Sequence, residues 1–167
     1  MLNKKSQTGF TIVELLIVVV VIAILAAITI VSYNGIQNRA NDASVQADLR
    51  SNGQAIEQYY VLNNTYPSTV THLRDSVKLK INKDAVSTVF ENSAIYCSAD
   101  GKFSLALLSK SGKGYYYSHN SGGVKEFPSV WSNSSTVLCP AAGGIVASDT
   151  NYLVTWLRVN SNWLTWL

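Results

Sequence analysis

The chain has 167 residues, of which 14% are charged and 47% are hydrophobic, and its formal net charge at pH 7 is +3. This length allows one hydrophobic anchor and one compact domain of ordinary size, but not two full domains. Of the 13 basic side chains, Lys4 and Lys5 lie in the first nine residues, and without them 11 basic side chains stand against 10 acidic ones. This balance does not indicate a nucleic-acid-binding surface.

The N-terminal block combines a short basic segment with a long apolar one. Residues 1–9 read MLNKKSQTG, and residues 10–31 read FTIVELLIVVVVIAILAAITIV. A helix of these 22 residues would be about 33 Å long, enough to cross a bilayer core of about 30 Å. A secretory signal would place its cleavage site after the apolar stretch, whereas Gly9 precedes it. Lys4 and Lys5 predict a cytoplasmic N-terminus, with the rest of the chain outside.

Glu14 is the charged residue within this apolar run. A carboxylate inside a membrane span costs up to about 3 kcal/mol. One interpretation places Glu14 near the membrane surface, facing the positive end of its own helix dipole. The other requires cleavage after Gly9, which would create an amine on Phe10. In a bundle of identical helices, that amine would pair with Glu14 of a neighbouring subunit and fix the axial register.

Residues 9–16, GFTIVELL, follow a short basic leader and open a long apolar helix. This arrangement resembles the class III signal of type IV prepilins and type II secretion pseudopilins. The resemblance implies cleavage between Gly9 and Phe10, N-methylation of Phe10 and a role for Glu14 in assembly. Ala23 and Val31 occupy the positions where many pilins carry a glycine and a proline. Local melting of the helix is therefore either not predicted or moved to Asn34-Gly35.

The resemblance also implies a function and a set of partners. The implied function is that of a structural subunit that polymerises into a surface filament for adhesion, motility or DNA uptake. The alternatives are a pseudopilin of a type II secretion system and a minor pilin that acts as a ligand-binding module. The implied partners are further copies of the chain, a prepilin peptidase that also methylates, a platform protein and an assembly ATPase. The chain would lie in the cytoplasmic membrane before assembly and in an extracellular filament afterwards.

We expect an α+β fold like that of pilins. A long N-terminal α-helix, half transmembrane and half amphipathic, would pack against a small antiparallel β-sheet head. The predicted division is into a leader, a transmembrane and assembly helix, an amphipathic continuation and a globular head, at residues 1–9, 10–31, 32–66 and 67–167.

The amphipathic part carries a predicted packing stripe and a predicted end. Gly53 marks either a bend or a tight contact in this helix. The sequence NNTYP at 63–67 predicts that the helix ends there. Apolar side chains near one side of the helix predict the face that meets the sheet, namely Ile36, Ala40, Ala43, Ala47, Ile56 and Tyr60.

The first half of the predicted head contains one lysine-rich segment and one clear hairpin. Residues 77–81 alternate like an edge strand. Lys78, Lys80 and Lys83 near it are interpreted as a solvated edge that resists aggregation rather than as a DNA-binding patch. Residues 94–108 predict a hairpin about a turn at Asp100-Gly101. Its second strand would turn three apolar side chains toward the core, those of Phe103, Leu105 and Leu107.

Further strands are predicted after this hairpin. Residues 115–117 and 124–127 would extend it into a meander of three or four strands, with tyrosines half-buried rather than forming a ligand platform. Cys139-Pro140 and Gly143-Gly144 indicate loops, and strands are expected again at 152–159 and 163–167.

Two further groups of residues leave alternatives open. Cys97 and Cys139 lie in the exported part, where a disulfide is favoured over two buried thiols. Trp156, Trp163 and Trp166 either form an interface with another molecule or complete the core of the head, and we favour the core.

The sequence contains no recognised motif for catalysis, metal binding or cofactor binding. His72 and His119 lack the spacing of HExxH or of a facial triad, and no phosphate-binding glycine loop or nucleophile elbow is present. Cys97 and Cys139 lack zinc spacing. We therefore expect a protein that is not an enzyme and that needs no cofactor.

Overall fold

The computed structural model describes residues 9–88, 93–99, 101–127, 131, 134–146, 153–159 and 164–166. The chain divides into two compact units, one extending to Gln37 and the other beginning at Asn38. Helix α1 is Ile12–Asn63, and helix α2 is Ser135–Gly143. A π-helix lies at His72–Val77. The strands are β1 Ala94–Ala99, β2 Lys102–Leu108, β3 Gly114–Ser118, β4 Lys125–Glu126, β5 Leu153–Val159 and β6 Leu164–Trp166.

The first unit consists, where described, of the start of α1 and the residues just before it. The backbone is helical through Asn34-Gly35, the other place where a glycine could have interrupted the helix. Its large apolar side chains from Phe10 to Ile30 are exposed in the isolated chain. Among the described residues, α1 is the helix long and apolar enough to cross a membrane, and none of its most apolar window is buried. In a bilayer, the helix interior would satisfy its backbone donors and acceptors internally.

In the second unit, α1 presents a different face from the predicted one. Val45, Leu49 and Ile56 are fully buried and belong to the core. The predicted stripe was right at Ile56 but wrong at the alanines Ala40, Ala43 and Ala47, which are exposed. Its first residue, Ile36, lies in the first unit and is 67% exposed. The larger side chains remove more apolar area from water than alanine methyl groups do, so they determine which face is buried.

The end of α1 matches its prediction. The helix ends at Asn63, and Asn64 adopts a left-handed conformation with φ of 55°. Asparagine tolerates this conformation and commonly ends helices in this way. Beyond the turn, Tyr66 stacks on Tyr60 and also contacts Phe103, with ring centroids 4.4 and 4.7 Å away. The connection is thereby attached to both the helix and the sheet.

The described strands form an antiparallel sheet in the order β4-β3-β2-β1-β5-β6. The expected hairpin is present, since β1 and β2 pair from Ala94 opposite Leu107 to Ala99 opposite Lys102. Gly101 in its turn has a φ of 68°, which glycine adopts without strain. Strands β3 and β4 continue the meander, and β5 adds to the opposite edge of β1. The predicted α+β architecture, with a helix on an antiparallel sheet, is confirmed.

Both faces of this sheet are covered. One face carries Tyr96, Phe103 and Tyr117 among others, and it forms a core with α1. The other carries Ile95, Cys97, Ala106 and Leu108, which pack with α2 residues such as Leu138. Because successive strand residues point to opposite faces, burial of both faces makes β1 and β2 apolar at nearly every position. The prediction that Phe103, Leu105 and Leu107 share a core face is confirmed.

Two local predictions were wrong. Residues 77–81 do not form a strand, because the π-helix extends to Val77 and Lys78 then turns left-handed with φ of 55°. Cys139-Pro140 lies within α2 rather than in a loop. Proline is disfavoured in the interior of a helix. Here α2 forms nevertheless, because it buries Leu138, Cys139 and Ala142 against the sheet. The loop predicted at Gly143-Gly144 is present, because α2 ends at Gly143 and Gly144 turns left-handed with φ of 63°.

Candidate assembly segment and head contacts

The residues on either side of the predicted cleavage point are accessible. Gly9 and Phe10 are exposed, Phe10 with 88% of its surface. A Cβ atom added to Gly9 would meet nothing within 4 Å. This chain's own fold therefore imposes no steric need for glycine at position 9. The basic residues Lys4 and Lys5 of the predicted leader lie outside the described residues.

Thr11 and Glu14 form a reciprocal cap at the start of α1. The carboxylate atom Oε2 of Glu14 accepts hydrogen bonds from the Thr11 backbone N–H at 2.9 Å and from the Thr11 hydroxyl at 2.8 Å. The Glu14 backbone N–H donates to Thr11 Oγ1 at 3.3 Å. This is the capping-box arrangement, in which the first and fourth residues satisfy each other's unpaired backbone donors.

The capping box refines the interpretation of Glu14. The carboxylate faces the N-terminal end of its own helix, as one of the two interpretations requires. Both bonds involve Oε2, and no hydrogen bond to Oε1 is found within the described part of the chain. The second oxygen is therefore left for a further donor. Sequence analysis did not identify Thr11 as the partner, although Thr-x-x-Glu before an apolar run is the recognised signal.

Gly53 marks a tight contact rather than a bend. A Cβ atom at this position would lie 2.5 Å from Cδ1 and 2.6 Å from Cγ of Tyr117. The Tyr117 ring lies directly over the helix backbone, and its hydroxyl donates to Glu57 Oε1 at 2.9 Å. Burial and this hydrogen bond to a carboxylate both raise the pKa of the Tyr117 phenol. Of the two alternatives left open by the sequence, the structure selects close approach of helix and sheet.

The lysine-rich connection, residues 78–83, is held by polar side chains of α1. Asn52 is buried, and its side-chain amide donates to the Lys80 carbonyl at 2.7 Å while its oxygen accepts from the Lys80 N–H at 2.9 Å. Asp48 accepts from the Asn82 N–H at 2.6 Å. Burial raises the pKa of the Asp48 carboxyl even though this hydrogen bond lowers it. The side chains of α1 thus bond backbone groups of Lys80 and Asn82, which in a β-strand would pair with a neighbouring strand.

The three lysines of this connection do not form an isolated basic surface. Lys78 and Lys80 are exposed, but Asp48 is bonded to the same connection and Asp84 follows Lys83 directly. A nucleic-acid footprint is usually a continuous basic patch. The interpretation as a solvated segment is retained, although the predicted strand is absent.

Cys97 and Cys139 form a disulfide bond that joins β1 to α2. Their Cα atoms are 5.8 Å apart, and the sequence separation is 42 residues. Both residues are almost completely buried, with exposed fractions of 1% and 0%. The disulfide therefore lies inside the second core, where it attaches α2 to the sheet.

The predicted role of the C-terminal tryptophans stays a prediction. Trp156 lies in β5, with its backbone opposite Ile95, and Trp166 lies in β6 opposite Leu157. Trp163 lies outside the described residues, as do the side chains of the other two. The tyrosines of β3 have a clearer placement, because Tyr115 and Tyr117 are buried on the α1 side of the sheet.

No group of three or more histidine, cysteine, aspartate or glutamate residues able to hold a metal ion occurs among the described residues. Arg74 and Asp75 form an exposed ion pair, and Lys113 pairs with Glu126 at 3.0 Å. These pairs lie on the surface of the second unit, and we assign them no chemical role.

Residues 4–30 match the family model for the prokaryotic N-terminal methylation motif. The chain is 44% identical over 64 residues to the type IV wide pilus major component PilA4 of Thermus thermophilus, covering 38% of this chain and 49% of that protein. It is 31% identical over 68 residues to the type II secretion system core protein G of Aeromonas hydrophila, covering 41% and 48%. The protein of that name from Pseudomonas aeruginosa is 31% identical over 77 residues, covering 46% and 54%. The chain thus spans about half the length of the curated relatives it matches.

Proposed function

We propose that this chain, whose N-terminal segment carries the methylation motif shared by type IV pilins and type II secretion pseudopilins, is a structural subunit that polymerises into a surface filament. The similarity to relatives of both kinds is limited to part of the chain. The observation that carries the proposal is the combination of an exposed apolar helix with a capped carboxylate at its start. A helix with this surface needs lipid or other helices around it.

The proposed assembly uses the two oxygens of Glu14 differently. Cleavage after Gly9 would turn the Phe10 nitrogen from an amide into an amine, which N-methylation leaves able to carry a positive charge. Thr11 holds Oε2 of Glu14, and Oε1 would accept from the Phe10 amine of a neighbouring subunit. A charge pair formed between helices in an apolar bundle fixes their register, because leaving either charge unpaired is costly.

The proposed partners follow from this scheme. They are other copies of the chain, a prepilin peptidase that cleaves and methylates, a platform protein and an assembly ATPase. Before assembly the chain would be anchored in the cytoplasmic membrane by residues 10–31, with the second unit outside. We propose a structural role and no catalytic one.

A second candidate function is that of a pseudopilin in a type II secretion system. It is favoured by the matches to protein G from several bacteria. The pilus function is favoured by the 44% identity to a pilus component. The two candidates differ in their cellular effect. Loss of the chain would remove surface filaments in the first case, and would stop export of secreted proteins without loss of filaments in the second.

The test compares wild type with Glu14→Ala in the native host, using intact-mass analysis of sheared filaments and of membranes. We expect wild-type chains in filaments to begin at N-methylated Phe10. We expect Glu14→Ala to be cleaved but absent from filaments. Thr29→Ala is the matched control in the same helix, because the Thr29 hydroxyl donates within that helix, to the Ala26 carbonyl at 2.9 Å. That variant should assemble normally.

Two results would contradict the proposal. Wild-type chains that retain Met1 in the membrane would show that the N-terminal segment is not a processed leader. Filaments containing normal amounts of Glu14→Ala would show that the carboxylate is not needed for assembly.

A further inference from the structure

A surface pocket of about 400 Å³ lies between the end of α1 and the π-helix, within the second unit. This volume is in the range of about 300–1,000 Å³ found for small-molecule sites. The pocket is lined by Ala55, Gln58, Tyr59, Leu62, Asn63, His72, Ser76 and Val77.

The lining contains no acidic or permanently charged side chain. Leu62 and Val77 supply apolar surface, while Gln58, Asn63 and Ser76 supply neutral groups that can both donate and accept hydrogen bonds. Within the described part of the chain, the side chains of Gln58 and Ser76 bond to no other residue. The nearby Arg74 and Asp75 are paired with each other at 2.7 Å. A charged ligand would therefore find no matching charge in the pocket, and its desolvation would not be offset.

Two rings form one wall of the pocket. The centroids of Tyr59 and His72 are 5.7 Å apart, with an interplanar angle of 34°. Both residues are half-buried and line the pocket. An aromatic ring of this kind offers a flat apolar surface with a polar edge.

His72 carries a polar atom that the fold does not satisfy. Its Nδ1 is buried and has no hydrogen-bond partner among the described residues. A buried nitrogen without a partner costs about 1–3 kcal/mol, and native structures usually have a reason for it. His72 is also one of the residues that line the pocket. A hydroxyl group suits either tautomer, because it can donate to the ring nitrogen or accept from it.

The backbone around the pocket is also unusual. His72 and Ser76 belong to a π-helix, a rare form found often at functional sites. It ends at Lys78, a non-glycine residue with φ of 55°, a conformation that costs of order 1 kcal/mol or more. The irregular segment is the one that supplies His72, Ser76 and Val77 to the pocket.

We propose that this pocket binds a neutral sugar ring. The aliphatic C–H face of the sugar would lie against Tyr59, and its hydroxyls would bond to Gln58, Ser76 and His72. Hydroxyl groups match a lining that both donates and accepts, and an uncharged sugar matches a lining without fixed charge. The proposal does not depend on polymerisation, since all of the lining residues belong to one chain.

The test uses the full-length chain in detergent and a panel of D-glucose, D-galactose, D-mannose, N-acetylglucosamine and N-acetylgalactosamine. Saturation-transfer NMR detects binding, and titration gives Kd. We expect at least one of these sugars to bind with a millimolar Kd. Ser76→Trp, which fills the pocket, should weaken binding at least tenfold, and Gln58→Ala should weaken it several-fold. Sialic acid, which carries a carboxylate, should bind more weakly than the neutral sugars.

Matched controls come from exposed residues outside the pocket. Gln54→Ala lies one turn before Gln58 on the same helix, and Ser68→Trp adds the same ring at another exposed serine. Both should leave the Kd unchanged. Thermal unfolding checks that each variant is folded. If Ser76→Trp does not fold, the sugar affinity of Gln58→Ala is the measurement that tests the proposal.

Two outcomes would overturn the proposal. The first is the absence of binding by every neutral sugar in the panel. The second is binding that Gln58→Ala and Ser76→Trp leave unchanged. Neither outcome bears on polymerisation, and failure of the Glu14→Ala experiment would leave the sugar titration intact, so the two proposals fail independently.

Discussion

At the scale of single residues, Gly53 and Tyr117 show how closely α1 approaches the sheet. The ring atoms Cγ and Cδ1 would both lie well inside contact distance of a new Cβ. Cγ is near the strand backbone, so the ring cannot move aside without moving the strand. The Tyr117–Glu57 hydrogen bond further restricts the ring.

We predict that Gly53→Ala lowers the free energy of unfolding. Overpacking typically costs about 1–3 kcal/mol, and the gain of about 1 kcal/mol in helix propensity offsets only part of it. Urea unfolding of the detergent-solubilised chain, followed by near-UV circular dichroism, measures the change. Gly35→Ala is the control, because a Cβ there meets nothing within 4 Å. A Gly53→Ala variant as stable as wild type would contradict the tight contact.

Tyr96 is a second residue whose environment has a measurable consequence. It is fully buried, and its hydroxyl donates to the Pro67 carbonyl at 3.0 Å. Burial raises the pKa of the Tyr96 phenol well above its ordinary value of 10.0. The folded state therefore holds the proton more tightly than the unfolded state does.

We predict that this difference destabilises the fold at high pH. Because the folded pKa is raised, the stabilisation is fully present below about pH 10 and is lost as the pH rises above the unfolded pKa. In Tyr96→Phe, the free energy of unfolding should fall less between pH 7 and pH 11 than in wild type. At pH 7 the variant should be less stable by about 1 kcal/mol, because the hydrogen bond is missing. Unfolding free energies measured from pH 7 to pH 11 test this. Identical pH profiles for variant and wild type would contradict the assignment.

At the scale of elements, the connection after the π-helix depends on α1. Asn52 uses both ends of its side-chain amide to bond the backbone of Lys80. Asn82 adds bonds to Asp48 and to Ser44, at 2.6 and 3.0 Å. Polar residues on a helix therefore replace the ladder that an edge strand would have required.

We predict that Asn52→Ala destabilises the fold by roughly 1–3 kcal/mol, because it removes two hydrogen bonds and leaves Lys80 backbone groups unpaired beside the helix. Gln54→Ala, an exposed change on the same helix, should stay within about 0.5 kcal/mol of wild type. Amide exchange of Lys80 and Asn82 should accelerate in the first variant only. Unchanged exchange at Lys80 would show that the connection is held by other contacts.

At the scale of the whole molecule, the two described units have opposite surface chemistry. The first exposes nearly every apolar side chain from Phe10 to Ile30, whereas the second contains two clusters of buried apolar residues, one on each face of a sheet. The first unit thus suits a lipid or helix-bundle environment and the second suits water. This contrast supports the proposal of a subunit that is anchored first and assembled afterwards.

The disulfide contributes to the stability of the second unit as a whole. A covalent link across 42 residues is worth roughly 4 kcal/mol in the chain-entropy model. We predict that the double variant Cys97→Ala, Cys139→Ala loses about 2–4 kcal/mol of unfolding free energy. Wild type that is unfolded and refolded in reductant should lose a similar amount of unfolding free energy relative to the oxidised protein. Equal stability with and without the bond would show that packing alone fixes α2.

Sequence alone determined those features that depend on hydropathy, charge or short-range turn chemistry. The apolar span, the match of residues 4–30 to the N-terminal methylation motif and the hairpin at Gly101 are of this kind, because each is specified by neighbouring residues along the chain. The end of α1 at Asn63 belongs with them. The capping box of Thr11 and Glu14 was equally accessible, since its two residues stand at a fixed local spacing.

Only the tertiary structure decided which of several locally acceptable states each remaining segment adopts. Residues 77–81 alternate like a strand, but Asn52 and Asp48 of α1 bind the backbone that follows the π-helix. Residues 135–143 contain a proline, but burial against the sheet and a disulfide to β1 favour a helix. Gly53 is small because a ring from a distant strand lies on it. Each of these outcomes is set by partners far away in sequence, whose free energy of packing exceeds the local preference.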